Sequence, residues 1–466
     1  MSHNLAERKI LELQQKLANL NAEFEYWRDR SSEGSRFEKH NSQIIAITTV
    51  LEQLQKGARN RAQSATTTEE KLAVCRRVER VTLAAHRIWE FFRSKFAQRK
   101  EERLQGYLAA ADEFAWICYQ PVRNIAAANH PAGFRKEPPL VFFNGGLSPF
   151  SVSRERTFDA EPVPNESLSA PEFTRVLNSL PVPVIGVPWH QVSHFPDALV
   201  IGHEVGHIVE DDFNLTPHLN QHLHEALDSR GIDGTRHGVW RSWLGEIFAD
   251  LYGCLSTGPA FVSSLMDFLV DDPQTVTQER VIGNNFGPYP TTQLRVLINL
   301  AALRRLGFSE AADNLERDWR AFYPSHQLAA FEPDVEKIVS ALLDATFPQF
   351  DNSSLPKIFR FTLEQQEEAE MTKRQITVDR NLSNSTKDIR VFYAAVRLAY
   401  IENPADFVQR GSAGMVLKKI ERMIDLGIRS GERVIDDQGK DDHNARHTTM
   451  GKDIFEQLWA ATEIWP

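Results

Sequence analysis

The stretch from Ile201 to Glu210, IGHEVGHIVE, constrains this chain more than any other. It sets His203 and His207 four residues apart, with Glu204 beside the first. On an α-helix such a pair stands on one face, one turn apart, so both imidazoles can reach one metal ion. Glu204 is displaced by about 100° around the axis and can lean toward a water at that ion. Chance would supply about 0.03 such patterns in a chain of this composition. The flanks fit a buried helix: Pro196 suits a first turn, and Leu199, Val200, Val205, Ile208 and Val209 are apolar. Gly202 and Gly206 each cost about 1 kcal/mol against alanine inside a helix. Such glycines are retained where another backbone or a ligand comes close. Glu210, Asp211 and Asp212 end the apolar pattern.

A hydrolytic zinc site takes three protein ligands and keeps one position open. Trp243 to Leu251, WLGEIFADL, reads as a second helix with Glu246 and Asp250 on one side. Glu246 is the candidate third ligand. Asp250 is the candidate acceptor for the other ring N–H of a ligating histidine, which would fix its tautomer. HEVGH followed by a helical ExxAD resembles the gluzincin group of zinc metallopeptidases, which includes the thermolysin-like enzymes. The resemblance spans roughly residues 180–300. It implies a zincin-like core, one Zn²⁺ per chain, a protein or peptide substrate, and Glu204 as general base. Several HExxH families follow the third ligand with an aromatic or histidine before proline and then a helix bearing arginine. GNNFGPYP at 283–290, ahead of a helix over 291–306, is similar. There Tyr289 either donates to a tetrahedral oxyanion or packs against proline. Arg295 either binds substrate or forms a structural ion pair.

The rest of the composition narrows the setting. With 466 residues, 42% of them hydrophobic, the chain can bury two or three cores. A net charge of −10 argues against a nucleic-acid partner bound through a basic face. Cys75, Cys118 and Cys254 are odd in number and far apart, which implies no disulfide framework. No apolar run reaches the length of a membrane span, and the opening MSHNLAERKILELQ lacks the pattern of a secretory signal. A cytoplasmic enzyme without membrane contact is expected.

Taken in order, Ile10, Leu13, Leu17, Leu20, Phe24 and Trp27 step by three and four. They predict a helix with a narrow seam, used either in an intramolecular hairpin or for a partner or self-association. A second helix is predicted over 37–57. Thr67 and Glu70 form a candidate capping box opening a helical stretch to Cys118, with Gly106 as a candidate break. Its basic runs, interleaved with glutamates, read as a solvated face. Pro121 to Pro139 reads as a transition. Strands are predicted at Leu140–Phe143, from Ser151 to Phe158, and from Pro181 to Trp189. Prolines demote the last to a sheet edge, where an extended peptide could pair. His218 and His222 are also four apart and are candidates for a second metal, against a helical stripe of Leu215, Leu219 and Leu223. Gly231, Gly234 and Gly238 predict a flexible loop able to act as a lid. Further helices are predicted near 308–321, 333–346, 361–377, 386–402, 404–429 and 451–463. Asp436, Asp437, Asp441, Asp442, His443 and His447 read as an acidic loop, either solvated or able to take a cation.

The fold expected is therefore mainly α with a small sheet: a helical domain over 1–120, a zincin-like core over 121–305 and a C-terminal helical domain over 306–466. The function expected is a zinc-dependent endopeptidase. The alternatives are a zinc hydrolase of a non-peptide bond and a non-catalytic zinc-fold scaffold acting through its helical domains.

Overall fold

A computed structural model describes residues 5–35, 37–129, 136–154, 181–277, 281–282, 285–324, 329–378, 386, 388–423 and 437–462. The chain is mainly helical with a small sheet. No helix among the described residues is long and apolar enough to cross a membrane. Backbone contacts separate two units. One comprises Met1–Glu101, Val152–Pro183 and Ile424–Pro466; the other comprises Glu102–Ser151 and Val184–Met423.

In the first unit, Leu5–Arg30, Asn41–Ser64 and Thr68–Ala97 are helices. The predicted seam faces inward. Leu13, Leu17, Leu20, Phe24 and Trp27 are buried, and Phe24 and Trp27 meet Trp89 edge-on at 5.3 and 6.1 Å. From Leu13 to Trp27 the seam is therefore used within the chain, as the hairpin reading expects, while Ile10 is half-buried. Thr67 and Glu70 form the capping box: the Glu70 amide donates to Thr67 Oγ1 at 3.1 Å, and the Thr67 amide donates back to Glu70 at 3.1 Å. Such a cap contributes about 1 kcal/mol.

The helical stretch breaks at Gln98–Lys100, not at Gly106, which lies inside the helix Glu102–Asn129. That helix also runs through Pro121, so the predicted boundary at 120 falls mid-helix. Proline frees a carbonyl in the preceding turn. That carbonyl belongs to Ile117, four residues back; its neighbour, the Cys118 carbonyl, accepts from the Tyr252 hydroxyl at 2.6 Å.

The chain's end belongs to the first unit. Asp437–Ala461 is one helix, so the helix expected over 451–463 reaches back through the stretch expected to be an acidic loop; Asp436 and 463 lie outside the described residues. Phe455 lies over Gly57, and Arg77 stacks on Trp459 at 4.0 Å while donating to its carbonyl. The predicted C-terminal domain over 306–466 is thus divided between the units. Its remaining α-helices among the described residues are Ser309–Phe322, Glu332–Asp344, Leu355–Ile358, Leu363–Val378, Ile389–Glu402, Pro404–Gln409 and Ser412–Met423. The predicted helix over 404–429 breaks at Gly411 (φ 64°), and 424–429 lie outside the described residues.

The second unit holds a three-stranded sheet of β1 (Leu140–Asn144), β2 (Phe150–Val152) and β3 (Val184–Pro188), in the order β1-β3-β2. β1 and β3 are parallel, with Leu140 opposite Val184 and Asn144 opposite Pro188. This corrects the edge assignment of the proline-rich strand. Pro181 and Pro183 precede it and Pro188 is its last residue, so its interior can pair on both sides. The outer side of β1 is engaged by the Glu102–Asn129 helix, whose Asp112 accepts from the Val141 amide at 3.3 Å. β2 is the other edge; 155–158 of its predicted extent lie outside the described residues.

Candidate metal centre

A short 3₁₀ segment, Phe195–Val200, leads from the sheet into the helix Ile201–Asp212. Ile201, Val205, Ile208 and Val209 are fully buried, as the apolar pattern demands. The helix is anchored at its far end, where the Tyr119 hydroxyl donates to Asp212 Oδ2 at 2.6 Å. Its glycines face the helix Leu244–Thr257. A Cβ on Gly206 would lie 2.9 Å from both Ala249 Cα and Tyr252 Cβ; one on Gly202 would lie 2.8 Å from Ser256 Oγ. Two small-residue pairs, Gly202/Gly206 and Ala249/Gly253, thus let two antiparallel backbones come together. That approach carries Glu246 to the histidines.

His203 Nε2 and His207 Nε2 lie 3.2 Å apart. Glu246 presents one oxygen to each: Oε2 is 3.5 Å from His203 Nε2 and Oε1 is 3.4 Å from His207 Nε2. One ligand atom from each residue can be chosen so that all three lie within 4.8 Å of one another. Among the described residues this is the one group of three or more histidine, cysteine or acidic side chains so placed. A tetrahedral ion with bonds of about 2.0–2.1 Å keeps its ligand atoms about 3.3–3.4 Å apart. The donor set, two imidazoles and a carboxylate, also suits zinc.

Asp250, 1% exposed, sets Oδ1 2.8 Å from His203 Nδ1, the ring nitrogen turned away from the cluster. Arg295 closes on Asp250 with both arms of its fork, so the structural ion pair prevails at that position over a free substrate-binding cation. Glu204 is 7% exposed and takes no hydrogen-bond or ion-pair partner among the described residues. Tyr289 sits in the turn before the helix Thr292–Arg305, 41% exposed and near enough to Arg295 to act on it electrostatically. The turn is tied to the ligand helix by Trp243, whose indole donates to the Gly287 carbonyl at 3.1 Å. The sequence reading missed this link, and also Asn299, which donates to Asp250 Oδ2 at 3.1 Å. Asn299 stands one turn beyond Arg295, which was the signal available for it.

The electrostatics follow from this packing. For His207, burial opposes the charged form, but Glu246, aided by Glu204 and Glu210, raises its pKa to about 9. For Glu246, burial works upward, but His207, His203 and Arg295 hold it down at about 2. Asp250 is likewise pushed below the usual carboxylate range: burial is outweighed by Arg295 and His203. Without metal, the cluster is a compensated set of charges in a low-dielectric setting.

The other candidates separate. His218 lies edge-on to Phe347, and His222 accepts from the Thr346 amide at 3.4 Å. Leu215, Leu219 and Leu223 are buried, so the stripe decides how that helix turns. The predicted flexible loop is instead the helix Gly234–Ser242, capped by Asp233 and clamped where Arg236 grips Asp334 at 2.6 and 3.0 Å.

No protein-family model, curated protein or solved structure matches this chain.

Proposed function

We propose that this chain is a zinc-dependent endopeptidase with a zincin-like core, in which His203, His207 and Glu246 hold the metal. The observation that carries the reading is the convergence of two imidazole nitrogens and one carboxylate at 3.2–3.5 Å, beside an uncommitted glutamate. Bound zinc supplies a Lewis acid and lowers the pKa of water toward about 7. Glu204 takes the proton of the attacking water and passes it to the leaving amine. Asp250 holds the His203 ring, so that its other nitrogen stays a lone-pair donor. Tyr289, on the exposed turn, is the candidate to donate a hydrogen bond to the oxyanion.

Glu204→Gln tests the reading. It should retain metal and lose at least about 100-fold in turnover, the usual minimum for general base catalysis. Cleavage of a validated peptide at the wild-type rate, with metal in place, would sink it. A second reading gains from the placement of β3. Because that strand is central, the edge that had favoured an extended peptide is not there. A zinc hydrolase of a non-peptide bond is therefore the alternative. A panel of peptides and small esters, each compared between wild type and Glu204→Gln, separates the two.

A further inference from the structure

Two helices supply the candidate ligands, and a third brings polar side chains to the second of them. On the helix Thr292–Arg305, Arg295 and Asn299 stand one turn apart and converge on one carboxylate. Arg295 Nε donates to Asp250 Oδ2 at 2.9 Å and Nη2 to Oδ1 at 2.6 Å. Asn299 Nδ2 donates to Asp250 Oδ2 at 3.1 Å and to the Arg295 carbonyl at 3.0 Å. The same Arg295 Nη2 lies 3.7 Å from Glu246 Oε2. One guanidinium therefore meets both the carboxylate that lies 2.8 Å from His203 Nδ1 and the carboxylate that faces both imidazoles. Asp250, Arg295 and Asn299 are all buried.

The chemistry of these groups suits them to position others. A bidentate guanidinium fixes the plane of its carboxylate as well as its distance, which a lysine ammonium cannot do. The Asn299 amide is itself fixed in direction, because both of its acceptors lie on one side and it must present Nδ2 to them. Asp250, held on two oxygens by two donor residues, has little freedom left. Its Oδ1 then defines where the His203 ring lies.

We propose that Arg295 and Asn299 are positioning residues of the metal site. They fix Asp250, and through it the His203 ring, while Arg295 holds Glu246 alongside, so the ligand atoms converge before an ion arrives. The proposal rests on the metal reading above and adds a third layer to it. Arg295 on this account serves the metal and not a substrate.

The test is the zinc affinity of chelator-stripped full-length protein, measured by competition with a chromophoric chelator. The thermal midpoint of the stripped protein is followed in parallel. Loss of an outer hydrogen-bond partner weakens metal binding by about 10–100-fold. Arg295→Lys should fall in that range, and Asn299→Ala, a milder change that keeps the ion pair, should lose affinity several-fold. The deciding measurement is a double-mutant cycle. In an Asp250→Ala background, Asn299→Ala should cause no further loss, because its action passes through Asp250. Wild-type affinity in both single variants overturns the proposal, as does a full additional loss in the Asp250→Ala background that tracks a falling midpoint. If the wild-type chain itself takes up no zinc, the metal reading fails and this proposal with it. That outcome is distinct from a wild type that binds zinc with indifferent variants.

Discussion

Of the helices that carry histidines four residues apart, Ile201–Asp212 and Thr216–Ser229 end differently. His203 and His207 meet a carboxylate from another helix; His218 and His222 do not. The spacing is the same, so spacing did not decide. The first helix carries glycines beside its histidines, and the Leu244–Thr257 backbone fits against them. The second carries leucines at 215, 219 and 223, which pack inward and leave His218 against an aromatic ring and His222 beside a backbone amide. A histidine pair meets a carboxylate from elsewhere in the chain when the positions beside it allow another helix close approach.

The largest test of this contrast is metal content. Elemental analysis should find about one zinc per wild-type chain and none in Glu246→Ala, as three protein ligands require. The double variant His218→Ala, His222→Ala should keep the wild-type stoichiometry. Equal loss in both would erase the distinction between the two helices.

Next in size is the packing itself. Gly206→Ala places a methyl 2.9 Å from Ala249 Cα, against backbone that cannot swing aside. Urea unfolding should show about 1–3 kcal/mol of destabilisation, the usual range for overpacking, together with weakened zinc uptake. Gly238 is the control. It lies in the helix Gly234–Ser242 with nothing within 4 Å of an added Cβ. Gly238→Ala should stabilise by about 0.5–1 kcal/mol, because alanine loses less backbone entropy in a helix. A destabilised Gly238→Ala with an unaffected Gly206→Ala would reverse the argument.

The smallest effect is in protons. Without metal, Glu246 and the neighbouring Glu204 and Glu210 outweigh burial and raise the His207 pKa to about 9, which favours the protonated ring at pH 7.5. A metal ligand must be neutral, so zinc uptake at pH 7.5 should release close to one proton from this ring. Apparent affinity should rise with pH and level off above about 9. Calorimetry in buffers of different ionisation enthalpy reads the proton directly. Uptake without proton release would show that Glu246 does not hold the charge on His207.

Local patterns were legible where short-range physics sets them. The capping box at Thr67 and Glu70 follows from two side chains three residues apart, and the seam from Leu13 to Trp27 follows from a repeat. The i,i+4 pairs at 203/207 and 246/250 belong to the same class. What was not legible depended on remote partners. The break at Gln98–Lys100 carries no glycine or proline, whereas Gly106 and Pro121, which do look like breaks, are carried within a helix. The strand at 184–188 has three prolines in or near it. Its central position depends on where they fall relative to the register with β1. Arg295 could be read as a free cation or a paired one until Asp250 was seen inside its reach.

By itself, then, the sequence determined the helices that carry the candidate ligands, the residue types on their faces and the glycines that permit close approach. All of these follow from helical geometry within a turn or two. Only the tertiary structure decided which helix fills the space beside those glycines and which oxygens face which nitrogens. It also decided that Arg295 and Asn299 stand behind Asp250. Those are packing choices between residues some forty to fifty positions apart, and close packing of buried surfaces, not periodicity, selects among them.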